Sequence, residues 1–214
     1  MKIIRESTNE SFEIGPEQKK HLVIYPKGDI CLNFRLNKGA SLKIQYIVTG
    51  GTNTTKLFFE LEESAKLVLD GAFSLKDEDS LDFEYKTTHL GTNSTSNFNL
   101  VGTLDDSATK TSSETIDFKA GAVGASGSES EKVTLFSSSC KNVAKPIILC
   151  GEENMHGTHN FSSSHLSLEV VDYLRARGVD IESAKRIISH EQIMRVAKLC
   201  KNEAIIEEVK EALH

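Results

Sequence analysis

At 214 residues, with a net charge of −6 and both signs mixed along its length, the chain has room for one large domain or a domain with an appendage. It has no basic stripe to hold phosphates, which argues against nucleic acid and an anionic membrane surface as partners. No apolar run reaches the roughly 20 residues of a membrane span, and MKIIRESTNESFEIG lacks a signal peptide's apolar core, so a cytoplasmic protein without membrane insertion is expected.

Residues 1–20 are polar and mixed, one lead-in strand at most. From His21 to about Pro146 short alternating segments follow one another, among them DICLNFRL, ASLKIQYIV, AKLVLDGAFSL, LDFEYKTTHL, SNFNLVGTL and EKVTLFSSS. In SLKIQYIV, Leu42, Ile44, Tyr46 and Val48 fall on one face, with Ser41, Lys43 and Gln45 on the other. Period two over many short segments predicts an all-β body. No proline occurs between Pro26 and Pro146, which suits strands bonded on both edges, because each proline removes a ladder donor. Small-residue turns recur at Gly39-Ala40-Ser41, Glu63-Ser64-Ala65, Glu78-Asp79-Ser80 and Asp106-Ser107-Ala108, at irregular offsets of about one or two rungs of a solenoid. A sandwich and a β-helix both satisfy this pattern; the scarcity of proline and of sharp hairpin signals favours the β-helix. From about Thr88 to Ser139 the chain is rich in Ser, Thr, Asn and Gly, which predicts solvent-facing rungs and loops. Gly121 to Glu131 is the expected mobile loop, since its small polar residues cannot offset the entropy of ordering it.

After Ser164 the period changes to about 3.6. Ser167 can N-cap a helix whose face carries Leu168, Val171 and Leu174, and Gly178 supplies its left-handed stop. Asp180 can cap a second helix with Ala184, Ile187 and Ile188; a third follows through Ile193, Val196, Ala197 and Cys200, and Asn202 opens a last one with Ile205, Ile206, Val209 and Leu213. So small a bundle cannot bury its apolar faces alone and must lean on the β body, a copy of the chain or a partner. The division expected is a β core over 1–165 and a helical subdomain over 166–214.

Around that division lie Cys150, His156, His159 and His165, with Glu152 and Glu153 nearby. Imidazole, thiolate and carboxylate are a ligand set for zinc or iron. Histidines after an edge strand also serve simply to bond backbone carbonyls, and residue types alone leave both readings open. The remaining cysteines, Cys31, Cys140 and Cys200, form no CxxC pair with Cys150 or one another, so neither a disulfide framework nor a zinc ribbon is expected. No Gly-Lys-Ser/Thr phosphate loop and no Gly-x-Ser-x-Gly elbow occurs, which argues against an ATPase and a hydrolase.

One stretch, Lys145 to Ile188, says more. It has Lys145-Pro146 leading an apolar strand, Glu152-Glu153 in an acidic turn, His159 before a short polar loop, and Tyr173-Leu174-Arg175-Ala176-Arg177-Gly178 closing an apolar helix. In order and spacing this resembles the C-terminal part of the SufB/SufD family, components of iron–sulfur cluster assembly that work with the ABC-type ATPase SufC. The resemblance implies a mainly β fold, a right-handed β-helix (single-stranded solenoid) core with a small C-terminal α-helical subdomain. It implies a non-enzymatic scaffold that docks a SufC-like ABC ATPase through its helices, with Tyr173, Leu174, Ile187 and Ile188 on the partner-binding face. It also implies pairing through a β-helix edge with a SufB/SufD-like protomer or a second copy. A transient iron–sulfur cluster or iron would touch His159, which falls on the family's motif histidine; His156 and Cys150 are further candidate metal ligands on chemical grounds only. Asn160 stands where SufB has Glu, and neither Cys140 nor Cys150 reproduces the spacing of SufB's upstream core cysteine, so the chain is more SufD-like. The rival is an all-β, cupin-like metalloenzyme with a His/Glu/Cys metal site, which requires imidazoles converging inside a closed barrel.

Overall fold

The computed structural model describes residues 1–213, and of Leu168 the backbone alone, so the expected place of that side chain on its helix lies outside the described residues. Among the described residues thirteen strands precede three helices. The strands are β1 (Lys2–Ile4), β2 (Thr8–Ile14), β3 (Lys19–Ile24), β4 (Ile30–Leu36), β5 (Ser41–Val48), β6 (Thr52–Leu61) and β7 (Lys66–Leu75). They continue as β8 (Ser80–His89), β9 (Thr95–Leu104), β10 (Thr109–Phe118), β11 (Ala125–Leu135), β12 (Lys141–Cys150) and β13 (Met155–His165). The odd strands form a seven-stranded sheet, β1-β3-β5-β7-β9-β11-β13, and the even strands a six-stranded one, β12-β10-β8-β6-β4-β2. Each strand crosses to the opposite sheet and lands parallel to the strand two before it, as in Ser41↔Lys66 and Thr109↔Ser80. The result is a β-solenoid, and its parallel ladders leave no place for the antiparallel jelly roll of a cupin.

The repeat that turn composition only hinted at is conformational. At one corner Glu17, Gly39, Ser64, Asn93 and Gly124 all have positive φ. Their N–H groups donate one rung onward, Glu17 to Lys38 O, Gly39 to Glu63 O, Ser64 to Thr92 O, Asn93 to Val123 O and Gly124 to Asn154 O. Left-handed backbone costs a non-glycine residue about 1–2 kcal/mol, and here each such residue gains a stacking hydrogen bond. Because residues as different as Glu, Ser and Asn take this role, the period is hard to see in letters.

Inward residues stack along the solenoid. Phe12, Phe34 and Phe59 form one ladder, with centroids 5.2 and 5.0 Å apart, and Tyr46 on Phe83 (4.8 Å) and Tyr85 on Phe98 (4.2 Å) extend it. Further along, the interior turns polar. His89 is fully buried, stacked on Phe118 and within 2.8 and 3.0 Å of the Ser94 and Ser96 hydroxyls. Burial pushes its pKa down to about 4. Its folded pKa lies below the unfolded value, so the contribution is complete above pH ~6.5 and is lost as pH falls through 6.5 toward 4. Wild-type protein should lose about 2 kcal/mol more than His89→Gln between pH 7 and pH 5 in urea titrations; equal slopes would mean that His89 is hydrated.

Several segments differ from expectation. Residues 1–20 hold two strands, β1 and β2, and the start of β3, since alternate side chains such as Phe12 and Ile14 close the first rung. The expected mobile loop at 121–131 is a tight turn followed by β11, whose Ala125, Gly127, Glu129 and Glu131 alternate inward. Smallness there serves packing: a Cβ on Gly127 would stand 2.8 Å from Ile116 Cγ2. The polar run Phe161-Ser162-Ser163-Ser164 belongs to β13, because a solenoid strand needs only a neighbour to bond.

The tail comprises α1 (Leu168–Arg175), α2 (Ile181–Leu199) and α3 (Glu203–Ala212). Ser167, Asp180 and Asn202 cap the three N-termini as expected, and Gly178 sits at φ 80°. The second and third expected helices are one, since nothing between Ile188 and Ile193 breaks the backbone ladder. Ile193, Met194, Val196, Ala197, Cys200, Ile205 and Val209 pack with Val23, Tyr25, Ile47 and Ala72 on the outer face of the seven-stranded sheet. The tail therefore crosses back over β5, β7 and β9 toward the first rungs, not beside His159 as the position of the join suggested. The unmatched apolar outer face of those central strands draws it there. Arg5 and Lys27 pair with Glu208, while Lys185 pairs with Asp105 at 2.9 Å. Helices and sheet share one core, although strand gives way to helix between His165 and Leu168. No described helix is long and apolar enough to cross a membrane.

Candidate functional site

The last rung, β12 and β13, is where the solenoid ends. Each strand has a neighbour on one side only, β12 on β10 and β13 on β11, and Pro146 is tolerated because β12 is an edge strand. On β13 burial alternates, so His159 points inward and is partly covered, while His156, an odd number of places away, is on the outer face and exposed. Cys150 is exposed at the end of β12 in the opposite sheet, and His165 is exposed at the end of β13. Cys150, His156 and His159 therefore do not converge. Among the described residues no three His, Cys, Asp or Glu side chains stand ready-arranged around a metal position. Glu152 ties the turn between the last two strands to the rung before it. Its carboxylate accepts from the N–H groups of Gly121, Glu153 and Asn154, which holds it ionised below its ordinary range.

Beneath His159 lies a cluster that residue types along the chain did not reveal. The inward positions of β10 and β11 carry Lys110, Ser112, Glu114, Glu129 and Glu131, all essentially buried, with Tyr85 entering from β8. Lys110 Nζ lies 2.6 Å from Glu131 Oε2, 3.7 Å from Glu114 Oε1 and 2.8 Å from Ser112 Oγ. The Tyr85 hydroxyl donates to Glu114 Oε2 at 3.1 Å. Glu129 Oε2 is 2.5 Å from His159 Nδ1, a contact whose alignment falls short of a hydrogen bond. Burial, with Glu114 adding repulsion, pushes the Glu129 carboxyl up to about 8, and burial pushes the His159 imidazole down. Near neutral pH the two face each other largely uncharged. The signal for this cluster was the alternation Gly127-Ser128-Glu129-Ser130-Glu131, with Glu in the phase that Val133 continues. It reads as a solvent face until Glu129↔Phe98 and Glu131↔Leu100 set it above two core residues.

Of the expected docking residues, Tyr173 and Ile187 are exposed, 56% each, and Leu174 and Ile188 are half-buried. Val143, Ile147 and Leu149 are exposed on the outer side of β12.

The sequence matches the SUF system FeS cluster assembly, SufBD core domain, over residues 32–192. No curated protein matches it. That match runs from β4 into α2 and so takes in most of the solenoid, the polar lumen and the start of the returning helix. The chain belongs to the SufB/SufD family of iron–sulfur cluster assembly proteins.

Proposed function

We propose that the chain is a non-enzymatic, SufD-like scaffold that pairs through its last rung with a SufB/SufD-like protomer and docks a SufC-like ABC ATPase through its helical tail. His159 is its transient contact with iron or a nascent cluster. The observation that carries this reading is the pair of free edges at β12 and β13, with three exposed aliphatic side chains on β12 and the motif histidine just inside. An unpaired edge with apolar side chains is a template for strand addition unless charge or cover protects it. Tyr173 and Ile187 support the ATPase arm, since large apolar side chains exposed on helices are the usual anchors of an interface.

Two variants test the two arms separately. Tyr173→Asp with Ile187→Asp should weaken retention of a SufC-like ATPase by roughly 100-fold in a pull-down from co-expressing cells, with the fold intact because both side chains are exposed. Ile147→Lys with Leu149→Lys should abolish pairing in size-exclusion chromatography and leave ATPase retention unchanged. Undiminished retention in the first variant rejects the docking face, and undiminished pairing in the second rejects the edge.

A further inference from the structure

The two ends of the solenoid are built differently. β1 and β2 end the two sheets at the first rung, as β13 and β12 do at the last. A second copy laid last rung onto first, in parallel register, would simply continue the stack. A head-to-tail contact of that kind repeats without closing and yields a filament.

The first rung carries an obstacle to this in its inward rows. Lys2 stands in register with Leu22, and Glu10 with Leu32, both of them core residues. Where the next rung has two leucines, the first therefore has a cation on one sheet and a carboxylate on the other. They meet across the mouth of the lumen at 2.6 Å, with Lys2 Nζ 4.5 Å from the centre of the Phe12 ring and the Thr8 hydroxyl donating to Glu10 at 3.0 Å. The hydrogen bond from Lys2 holds the Glu10 carboxyl below its ordinary range. Phe12 begins the aromatic ladder that runs on to Phe34 and Phe59, so the pair covers the ring on which an incoming rung would stack. The two charged side chains are 48% and 41% exposed, and a chain seated over them would strip that water from both. The first edges are also short, three residues in β1 and seven in β2, against ten in β12 and eleven in β13. At the last rung the corresponding rows end on uncharged side chains, among them Ala144 and Ile148 on β12 and Phe161 on β13. Charge turned inward on a short edge strand is a known guard against unwanted strand addition.

We propose that the Lys2–Glu10 pair over Phe12 is a stop that keeps the first rung from accepting the last rung of a second copy. End-on assembly is thereby confined to the last rung and cannot run on into a filament. What meets the last rung rests on the pairing reading above; the stop at the first rung does not.

Lys2→Leu with Glu10→Leu tests the stop, since leucine at both positions continues the rows of Leu22 and Leu32. In sedimentation velocity at rising concentration this variant should pass the wild-type size and keep growing, to at least about double the wild-type weight-average mass. Hydrogen exchange should then show the β1 and β2 amides protected in the enlarged species. The exchanged pair, Lys2→Glu with Glu10→Lys, keeps both charges and should stay at the wild-type size. A leucine variant that remains at the wild-type size, growth without protection at the first rung, or growth of the exchanged pair would each overturn the proposal. If the leucine variant precipitates, Lys2→Gln with Glu10→Gln removes the same charges on polar side chains and is read in the same way. The pairing reading fails on a different measurement, undiminished pairing of Ile147→Lys with Leu149→Lys, so either can fall while the other stands.

Discussion

Replacing Lys110 by methionine lowers the unfolding free energy by about 3–5 kcal/mol. The ammonium group is wholly buried, 2.6 Å from Glu131 and 3.7 Å from Glu114, and its removal leaves carboxylates in a solenoid interior with no positive charge. Methionine replaces the volume of the alkyl stem, which isolates the electrostatic loss from a cavity effect. The companion variant Lys110→Met with Glu131→Gln should recover more than half of the loss, because the most closely paired charge has gone as well. Urea denaturation midpoints measure both. A single variant within about 1 kcal/mol of wild type would show that water reaches this level and screens the cluster.

Phe98→Ala should cost about 3–5 kcal/mol, and Phe98→Leu less than half as much. Phe98 is buried, stacked at 4.2 Å on Tyr85 and edge-on to Phe59 at 5.8 Å. It also lies directly under Glu129 in the parallel ladder. Truncation opens a cavity where the aromatic interior meets the polar one, and surrounding strands cannot collapse into it without breaking register with both neighbouring rungs. Calorimetry reads the stability. A small loss would indicate that Tyr85 swings into the space, at the expense of its bond to Glu114.

How far these features were legible in the letters depends on the range of the forces behind them. Alternation in SLKIQYIV is local, and its inward set Leu42, Ile44, Tyr46 and Val48 is buried as read. Helix caps are local too: Ser167, Asp180 and Asn202 each satisfy an N–H three residues on. The family pattern around His159 was readable because it is confined to one contiguous stretch. The ordering of Gly121 to Glu131 was not, since most of what stabilises that segment is β9 on one side and β13 on the other. Nor could spacing show that His156 and His159 separate to opposite faces, because a turn and a strand place the same two residues differently.

The amino-acid sequence alone determined that this is a body of short alternating β-strands with a capped helical tail and a SufB/SufD-type motif at their join, since periodicity, capping and motif spacing act within a few residues; it favoured stacked rungs over a sandwich without deciding between them. Tertiary structure alone decided that the tail crosses back over β5, β7 and β9, and that Lys110, Glu114, Glu129 and Glu131 meet under His159. Most of those contacts join residues on different strands, and which strand faces which is set by the register of whole strands rather than by any one segment's composition.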